Sequence, residues 1–157
     1  MDPTILVVDD DPALRAFLRR VLGRAGYQVR EAADGVRALE EVASERPALV
    51  LTDLMMPRMN GDVLVAQLTD GLDPIPCILM SAFHSQPLVE DVPFLPKPFA
   101  IGYLLELVTE TLERGTGVRR RRARQSQYLR CTGPTVSDRL VRFRERLSLL
   151  QTWSGAC

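Results

Sequence analysis

Three adjacent aspartates, Asp9, Asp10 and Asp11, follow a run of aliphatic residues near the start of this 157-residue chain. Carboxylates this close together repel one another unless a cation lies among them, and oxygen ligands suit a hard ion such as Mg²⁺. The aspartates could instead begin a helix, because they accept hydrogen bonds from the first backbone N–H groups and favour the positive end of the helix dipole. Taken alone, the triplet leaves metal binding and helix capping both open.

Three further polar residues, Asp53, Ser81 and Lys97, each stand in or at the end of a later apolar run. Lys97 is also the only lysine among the 20 basic residues. An ammonium group is a compact charge on a flexible stem, whereas a guanidinium is a planar fork, so a local need for the ammonium would explain the exception. If the fold brings Asp53, Ser81 and Lys97 close to the three aspartates, the acidic side chains and the lysine form one site.

The elements that would position these residues alternate between short apolar runs and longer stretches with helical spacing, up to about residue 114. The apolar runs predict five strands, at residues 4–9, 27–31, 48–53, 76–82 and 93–99. Alternating strands and helices favour an α/β fold with an open, doubly wound, five-stranded parallel sheet in the flavodoxin-like order 2-1-3-4-5. Strand 2 alternates in polarity and strand 5 contains Pro96, as expected for edge strands.

In such sheets, ligands bind beyond the carboxyl ends of the strands, near the point where the strand order reverses. Strand 1 ends at Asp9 and Asp10, and the neighbouring strand 3 ends at Asp53. Ser81 and Lys97 follow on strands 4 and 5. This common edge favours the metal-binding interpretation of the triplet over capping alone.

Four motifs, "ILVVDDDP", "LVLTDLMMPRMNG", "ILMSA" and "FLPKPF", occur in this order within residues 4–114. The order and spacing of these motifs resemble those of the receiver domain of response regulators, which is the phosphoacceptor module of two-component signalling. The resemblance implies that Asp53 accepts a phosphoryl group from a histidine kinase or a phosphotransfer protein. It also implies that the protein is a switch that assists its own phosphoryl transfer rather than an enzyme.

The resemblance further assigns roles to individual residues. The Mg²⁺ ligands would be Asp9, Asp10, Asp53 and the backbone carbonyl of Met55. Ser81 would donate a hydrogen bond to the phosphoryl oxygens and Lys97 would pair with them, while Ser81 and Phe94 would move on phosphorylation. The Lys97–Pro98 peptide bond is often cis in the family.

The segment between Ser81 and Lys97 departs from the family pattern. It has 15 residues, several fewer than usual, and Pro87 and Pro93 interrupt it. Because proline breaks helices, the fourth helix is predicted to be shortened or missing. Receiver domains usually signal through the surface that includes this helix, so the domain could signal through another face.

The charge distribution predicts a receiver domain at 1–114 and a tail of different character. Residues 1–114 hold 10 Lys and Arg against 18 Asp and Glu, a net charge of −8, whereas residues 115–157 hold 10 Arg against 2 acids, a net charge of +8. Residues 115–135 have the composition of a basic flexible linker, and residues 136–157 predict a short amphipathic helix. Its apolar positions are Leu140, Phe143, Leu147 and Leu150.

The tail suggests additional partners. The run from Arg119 to Arg124 could bind nucleic acid or an anionic surface, and the terminal helix could form a homodimer. The alternative is a solvated charge run, and the tail is too short for a winged helix. Docking of the basic tail on the acidic domain is a further hypothesis.

The sequence thus favours a phosphoacceptor response regulator, with a non-switching interaction module that acts through its basic tail as the alternative. A magnesium-dependent phosphatase of similar topology is disfavoured because no cap-domain insertion is visible. The N-terminus lacks the pattern of a signal peptide and no apolar stretch approaches about 20 residues, so a cytoplasmic location is expected. Three widely spaced cysteines suggest neither disulfides nor a zinc site.

Overall fold

The computed structural model describes residues 2–70, 73–82 and 92–128. Strands and helices alternate along the described chain. They are β1 Thr4–Val8, α1 Pro12–Arg24, β2 Gln28–Ala32, α2 Gly35–Ser44, β3 Leu49–Asp53, α3 Gly61–Thr69, β4 Cys77–Ser81, β5 Phe94–Pro96 and α4 Ile101–Tyr128. None of the helices in this part of the chain combines the length and the apolar content needed to cross a bilayer.

The five strands form one parallel sheet in the order β2-β1-β3-β4-β5, which confirms the predicted topology. β3 and β4 are buried along their whole length, and β1 is buried from its second residue onwards. These strands are continuous apolar runs because helices cover both faces of the sheet. β2 and β5 lie at the edges, and the prediction that Pro96 marks an edge strand is also confirmed.

Alternate residues along the central strands face two hydrophobic clusters, one on each side of the sheet. One cluster includes Leu6 and Val50 with residues of α2 and α3, and the other includes Val7 and Leu51 with residues of α1 and α4. Cys77 belongs to the first cluster, where burial raises the pKa of its thiol to about 12. The thiol therefore stays protonated and serves as a packing residue.

The helix starts follow the local chemistry. Pro12 is the first residue of α1, and Asp11 accepts a 2.8 Å hydrogen bond from the Ala13 N–H. Asp34 stands directly before a stretch with helical spacing, so the sequence predicts it as a cap, and the structure confirms this: Asp34 accepts from the backbone N–H groups of Val36 and Arg37. The sequence predicts that Gly23 and Gly26 close α1; Gly23 instead lies inside the helix, whereas Gly26, with a φ of +92°, makes the turn beyond its end.

α4 differs from its predicted end. The sequence predicts an irregular linker from residue 115, but α4 continues to Tyr128. Arginine and glutamine are good helix formers, and they outweigh the two glycines in this stretch. The predicted loss of helix between β4 and β5 falls on residues 83–91, and the predicted tail helix falls beyond Tyr128, so both lie outside the described residues. The domain limits stay a prediction.

Candidate functional site

A polar site lies at the carboxyl edge of the sheet, where four elements end or begin. Asp9 directly follows β1, Asp53 is the last residue of β3, and Ser81 is the last residue of β4. Lys97 directly follows β5, and its backbone N–H donates a 2.8 Å hydrogen bond to the Ser81 carbonyl. Lys97 is 44 positions from Asp53 and 88 positions from Asp9 in sequence, and the parallel pairing of the strands brings all three residues to one edge of the sheet.

The Lys97 ammonium lies between two carboxylates. Its Nζ is 2.6 Å from Asp53 Oδ1 and 2.8 Å from Asp9 Oδ2. Asp9 is 1% exposed and Asp53 is 8% exposed, so both acids need this countercharge. Desolvation lowers the pKa of Lys97, but the hydrogen bonds and charges of Asp53 and Asp9 outweigh it, so the pKa lies above its ordinary value.

Every polar atom of Asp9 has a partner, and the partners come from β2, from the start of α1 and from the residue after β5. The backbone N–H donates to the Ala32 carbonyl at 3.2 Å, and the backbone carbonyl accepts from Arg15 Nη1 at 2.6 Å. Oδ1 accepts from the Asp11 N–H at 2.9 Å, while Oδ2 accepts from Lys97. Within the described part of the chain, four bonds therefore fix Asp9, two of them at its backbone and two at its carboxylate.

The loop from β3 to α3 closes tightly over Asp53. Asp53 Oδ2 accepts a 2.8 Å hydrogen bond from the Met55 N–H. The Gly61 N–H donates to the Leu54 carbonyl at 2.9 Å, and a Cβ on Gly61 would overlap the carbonyl oxygen of Asp53. Only glycine allows the loop to return this close to the end of β3.

The structure gives the three aspartates of the triplet different surroundings. Asp9 is buried and paired with Lys97, Asp10 is exposed, and Asp11 caps α1. Capping and a charged site thus share the triplet: Asp11 caps the helix and Asp9 pairs with Lys97, while metal binding by the triplet stays a prediction.

The other predicted site residues are placed as follows. Ser81 is buried at the end of β4. Phe94 is half-buried and packs against the cluster that includes α2 and α3. Met55 contacts Asp53 through its N–H, and its side chain is exposed. The Lys97–Pro98 peptide bond is cis, as the resemblance implies.

The donor set agrees with Mg²⁺ in its chemistry. Within residues 2–70, 73–82 and 92–128, no three His, Cys, Asp or Glu side chains gather into a cluster that could hold a metal ion. Mg²⁺, however, usually takes only one or two carboxylates and keeps several waters. Asp9 and Asp53 supply two carboxylates at one edge, and carboxylate oxygens are the donors that a hard ion such as Mg²⁺ prefers.

Sequence reasoning missed two arginines near the site. Arg15 reaches the backbone of Asp9, and Arg58, in the β3–α3 loop, pairs with the buried carboxylate of Asp34. Arg58 has a φ of +67°, a conformation that normally indicates glycine or asparagine. Arg15 falls four residues after the α1 cap, and a helical arginine near an acidic turn is too common to single out from sequence.

A family model described as the response regulator receiver domain matches residues 5–109. Among curated proteins, the response regulator MprA of Mycobacterium bovis (strain BCG / Pasteur 1173P2) is 36% identical over 160 residues, which covers 97% of this chain and 69% of that protein. The MprA of Mycobacterium ulcerans is 43% identical over 122 residues, which covers 73% of this chain and 52% of that protein.

Solved structures agree with these matches. The signal receiver domain of an HD domain-containing protein from Pseudomonas fluorescens Pf-5 has a TM-score of 0.69 at 25% identity, and the match covers 74% of this chain and 99% of that one. The Vibrio cholerae chemotaxis protein CheY4 has a TM-score of 0.62 at 27% identity, with 71% of this chain and 99% of that one covered.

Proposed function

The chain belongs to the response-regulator receiver family of two-component signalling, and from this premise we propose that it is a phosphoacceptor switch. In this proposal Asp53 accepts a phosphoryl group from a histidine kinase or a phosphotransfer protein, with Mg²⁺ as the cofactor. The observation that carries the proposal is the Lys97 ammonium held between Asp53 and Asp9. The protein acts as a signalling switch rather than as an enzyme that turns over a substrate.

The residues around Asp53 suit in-line phosphoryl transfer. A carboxylate oxygen of Asp53 attacks phosphorus, the bond from phosphorus to the donor nitrogen breaks, and its electron pair stays on that nitrogen. Lys97 is already bonded to Oδ1 and can offset charge on the transferred oxygens, while the Met55 N–H holds Oδ2. The protein supplies positioning and charge, which is most of what this reaction needs.

Mg²⁺ would offset negative charge on the phosphoryl oxygens during transfer. Asp9, Asp10, Asp53 and the backbone carbonyl of Met55 are the groups that would hold it. Asp9 is fixed and buried, whereas Asp10 is exposed. The two acids would thus contribute differently, one as a rigid carboxylate and the other as an accessible one.

Phosphorylation would change the site through charge, since a phosphoryl group adds negative charge and acceptor oxygens at the end of β3. Ser81 and Phe94 are the residues we propose to respond. Ser81 accepts from the Lys97 N–H through its carbonyl, so β4 and the Lys97 turn are already joined. Phe94 packs against the hydrophobic cluster that includes residues of α2 and α3, so a movement of its side chain would change the packing of these helices.

The tail extends the list of proposed partners. The arginines from Arg119 to Arg124 concentrate positive charge that suits nucleic acid or another anionic surface, and the segment with Leu140, Phe143, Leu147 and Leu150 suits a homodimer. A cytoplasmic location is part of the same proposal, because the donor kinase domain must be reachable.

The test is the intact mass of the protein after incubation with Mg²⁺ and phosphoramidate. Wild type is expected to gain one phosphoryl group, and the gain should disappear in Asp53→Asn and when Mg²⁺ is chelated. Asp70→Asn is the matched control, since Asp70 is an exposed carboxylate at the end of α3. A folded wild type without any adduct would contradict the proposal and favour the non-switching module.

A further inference from the structure

Arg15 contacts the polar site by binding the backbone of Asp9 rather than its carboxylate. Its Nη1 donates a 2.6 Å hydrogen bond to the backbone carbonyl of Asp9. This carbonyl lies just beyond the end of β1, between the strand and the first turn of α1. Arg15 therefore ties the helix to the residue whose carboxylate contacts Lys97.

Arg15 is itself held in place by the edge strand β2. Its Nε lies 3.5 Å from Glu31 Oε2, and its side chain is only 17% exposed. Arg19 Nε contacts the other oxygen of Glu31 at 3.1 Å, but the Arg19 side chain is 64% exposed. The described bonds of Arg19 do not include Asp9.

These contacts form a continuous chain of polar bonds across the sheet edge. It runs from Glu31 through Arg15 to Asp9, and from Asp9 through Lys97 to Asp53. The other three bonds of Asp9 involve the backbone N–H, Oδ1 and Oδ2. Among the residues that the structure describes, Arg15 alone binds its carbonyl, so the turn between β1 and α1 would gain freedom without it.

We propose that Arg15 is a positioning residue that orients Asp9, and through it Lys97, for magnesium binding and phosphoryl transfer at Asp53. The inference rests on the proposed function and deepens it. An arginine suits the role because its planar fork can bond Glu31 and the Asp9 carbonyl at the same time. A lysine has a single nitrogen at the end of its stem and cannot keep this geometry.

Two variants separate positioning from charge. Arg15→Gln removes the positive charge and the fork, whereas Arg15→Lys keeps the charge and removes the fork. If Arg15 acted only through its charge, Arg15→Gln would bind Mg²⁺ more tightly, because one repulsive charge is gone, and Arg15→Lys would match wild type. A positioning role predicts weaker binding in both variants.

The experiment is calorimetric titration of the full chain with Mg²⁺ alone. Both Arg15 variants are expected to bind about tenfold more weakly than wild type, the size typical for residues that orient metal ligands. Arg19→Gln is the matched control, because it removes the other partner of Glu31 without touching Asp9, and it should stay within about twofold. Thermal unfolding shows whether each variant is folded, and Arg15→Lys carries the test if Arg15→Gln is not.

A second measurement is independent of both magnesium and phosphorylation. Because Lys97 is the only lysine, protein labelled with ¹⁵N-lysine gives one side-chain ammonium signal. Arg15→Lys adds a second lysine, so Arg15→Gln is used for this comparison, again with Arg19→Gln beside it. The Lys97 signal should shift in Arg15→Gln and stay in place in Arg19→Gln.

The outcomes distinguish this inference from the proposed function. Wild type that binds Mg²⁺ but gains no phosphoryl adduct contradicts the proposed function and leaves the Arg15 comparison intact. Wild-type affinity in Arg15→Lys, or tighter binding in Arg15→Gln, overturns the positioning role. If wild type binds no Mg²⁺, the NMR measurement decides: an ammonium signal of Lys97 that does not shift in Arg15→Gln overturns the positioning role.

Discussion

The two connections that carry the site, the β1–α1 turn and the β3–α3 loop, are held by different means. The turn around Asp9 is fixed by hydrogen bonds and ion pairs from Ala32, Arg15, Asp11 and Lys97. The loop after Asp53 is fixed largely by close fit, with Gly61 against the end of β3. Polar bonds can be weakened one at a time, whereas a steric fit is lost with a single added methyl group.

The loop also has a second attachment, to the start of α2. Arg58 pairs with Asp34, which is 1% exposed and caps that helix. A Cβ on Gly35, the first residue of α2, would come within 2.7 Å of the Met59 side chain. The loop after Asp53 is therefore in direct contact with the start of α2 through Arg58 and Met59.

The largest expected effect comes from Gly61→Ala. The added methyl overlaps the carbonyl oxygen of Asp53 and lies 2.9 Å from its carbonyl carbon, so the loop and the strand end must separate. Unfolding free energy should fall by about 3 kcal/mol, measured by urea denaturation. The matched control is Gly102→Ala in α4, where a Cβ meets nothing within 4 Å and alanine should stabilise by up to about 1 kcal/mol. Equal changes in unfolding free energy for Gly61→Ala and Gly102→Ala would show that close steric fit does not hold the β3–α3 loop.

An intermediate effect is expected from removing the carboxylate that anchors the loop. Asp34→Ala loses two cap bonds of 3.0 Å and the ion pair with Arg58, which should lower the unfolding free energy by about 2 kcal/mol. Asp11→Ala, in the other connection, loses one exposed cap bond and should lose about 1 kcal/mol. Amide chemical shifts should change at Met55 in Asp34→Ala. If Asp11→Ala lost more unfolding free energy than Asp34→Ala, the ion pair between Asp34 and the loop would not add stability beyond that of a helix cap.

The smallest effect concerns the backbone of Arg58. Its left-handed conformation is unfavourable for residues with a Cβ by about 1–2 kcal/mol. Arg58→Gly and Arg58→Ala both remove the ion pair with Asp34, but only glycine removes the strain. Arg58→Gly should therefore be about 1 kcal/mol more stable than Arg58→Ala in the same urea titration. The reverse order would mean that the mutated loop leaves the left-handed conformation.

The strands and their order could be predicted because the physics behind them is local. The central strands are uninterrupted aliphatic runs, and the edge strands carry alternating polarity or proline. The meeting of Asp9, Asp53 and Lys97 followed from the same topology, since parallel strands end at one edge. The cap at Asp34 was visible for the same reason, as a short acid directly before a helix.

Other features depended on tertiary contacts that no sequence pattern reveals. The strained φ of Arg58 goes together with an ion pair to a residue 24 positions away. The apolar spacing in residues 14–22 predicts that Phe17 lies on the buried face of α1, yet Phe17 is 38% exposed and the buried residues of the helix are Leu18 and Leu22. The length of α4 was missed because helix propensity and linker composition overlap in arginine-rich segments.

The two edge strands also bear on self-association. Runs such as those in β1, β3 and β4 combine high β-propensity with little charge, which is the composition that stacks into intermolecular sheets. In the folded chain these runs are interior, while the outer strands present Arg30 with its glutamate partners on one side and Pro96 on the other. Charge and proline discourage a foreign strand from pairing with an open edge. The order of the strands thus keeps the most adhesive segments away from other copies of the chain for as long as the fold is intact.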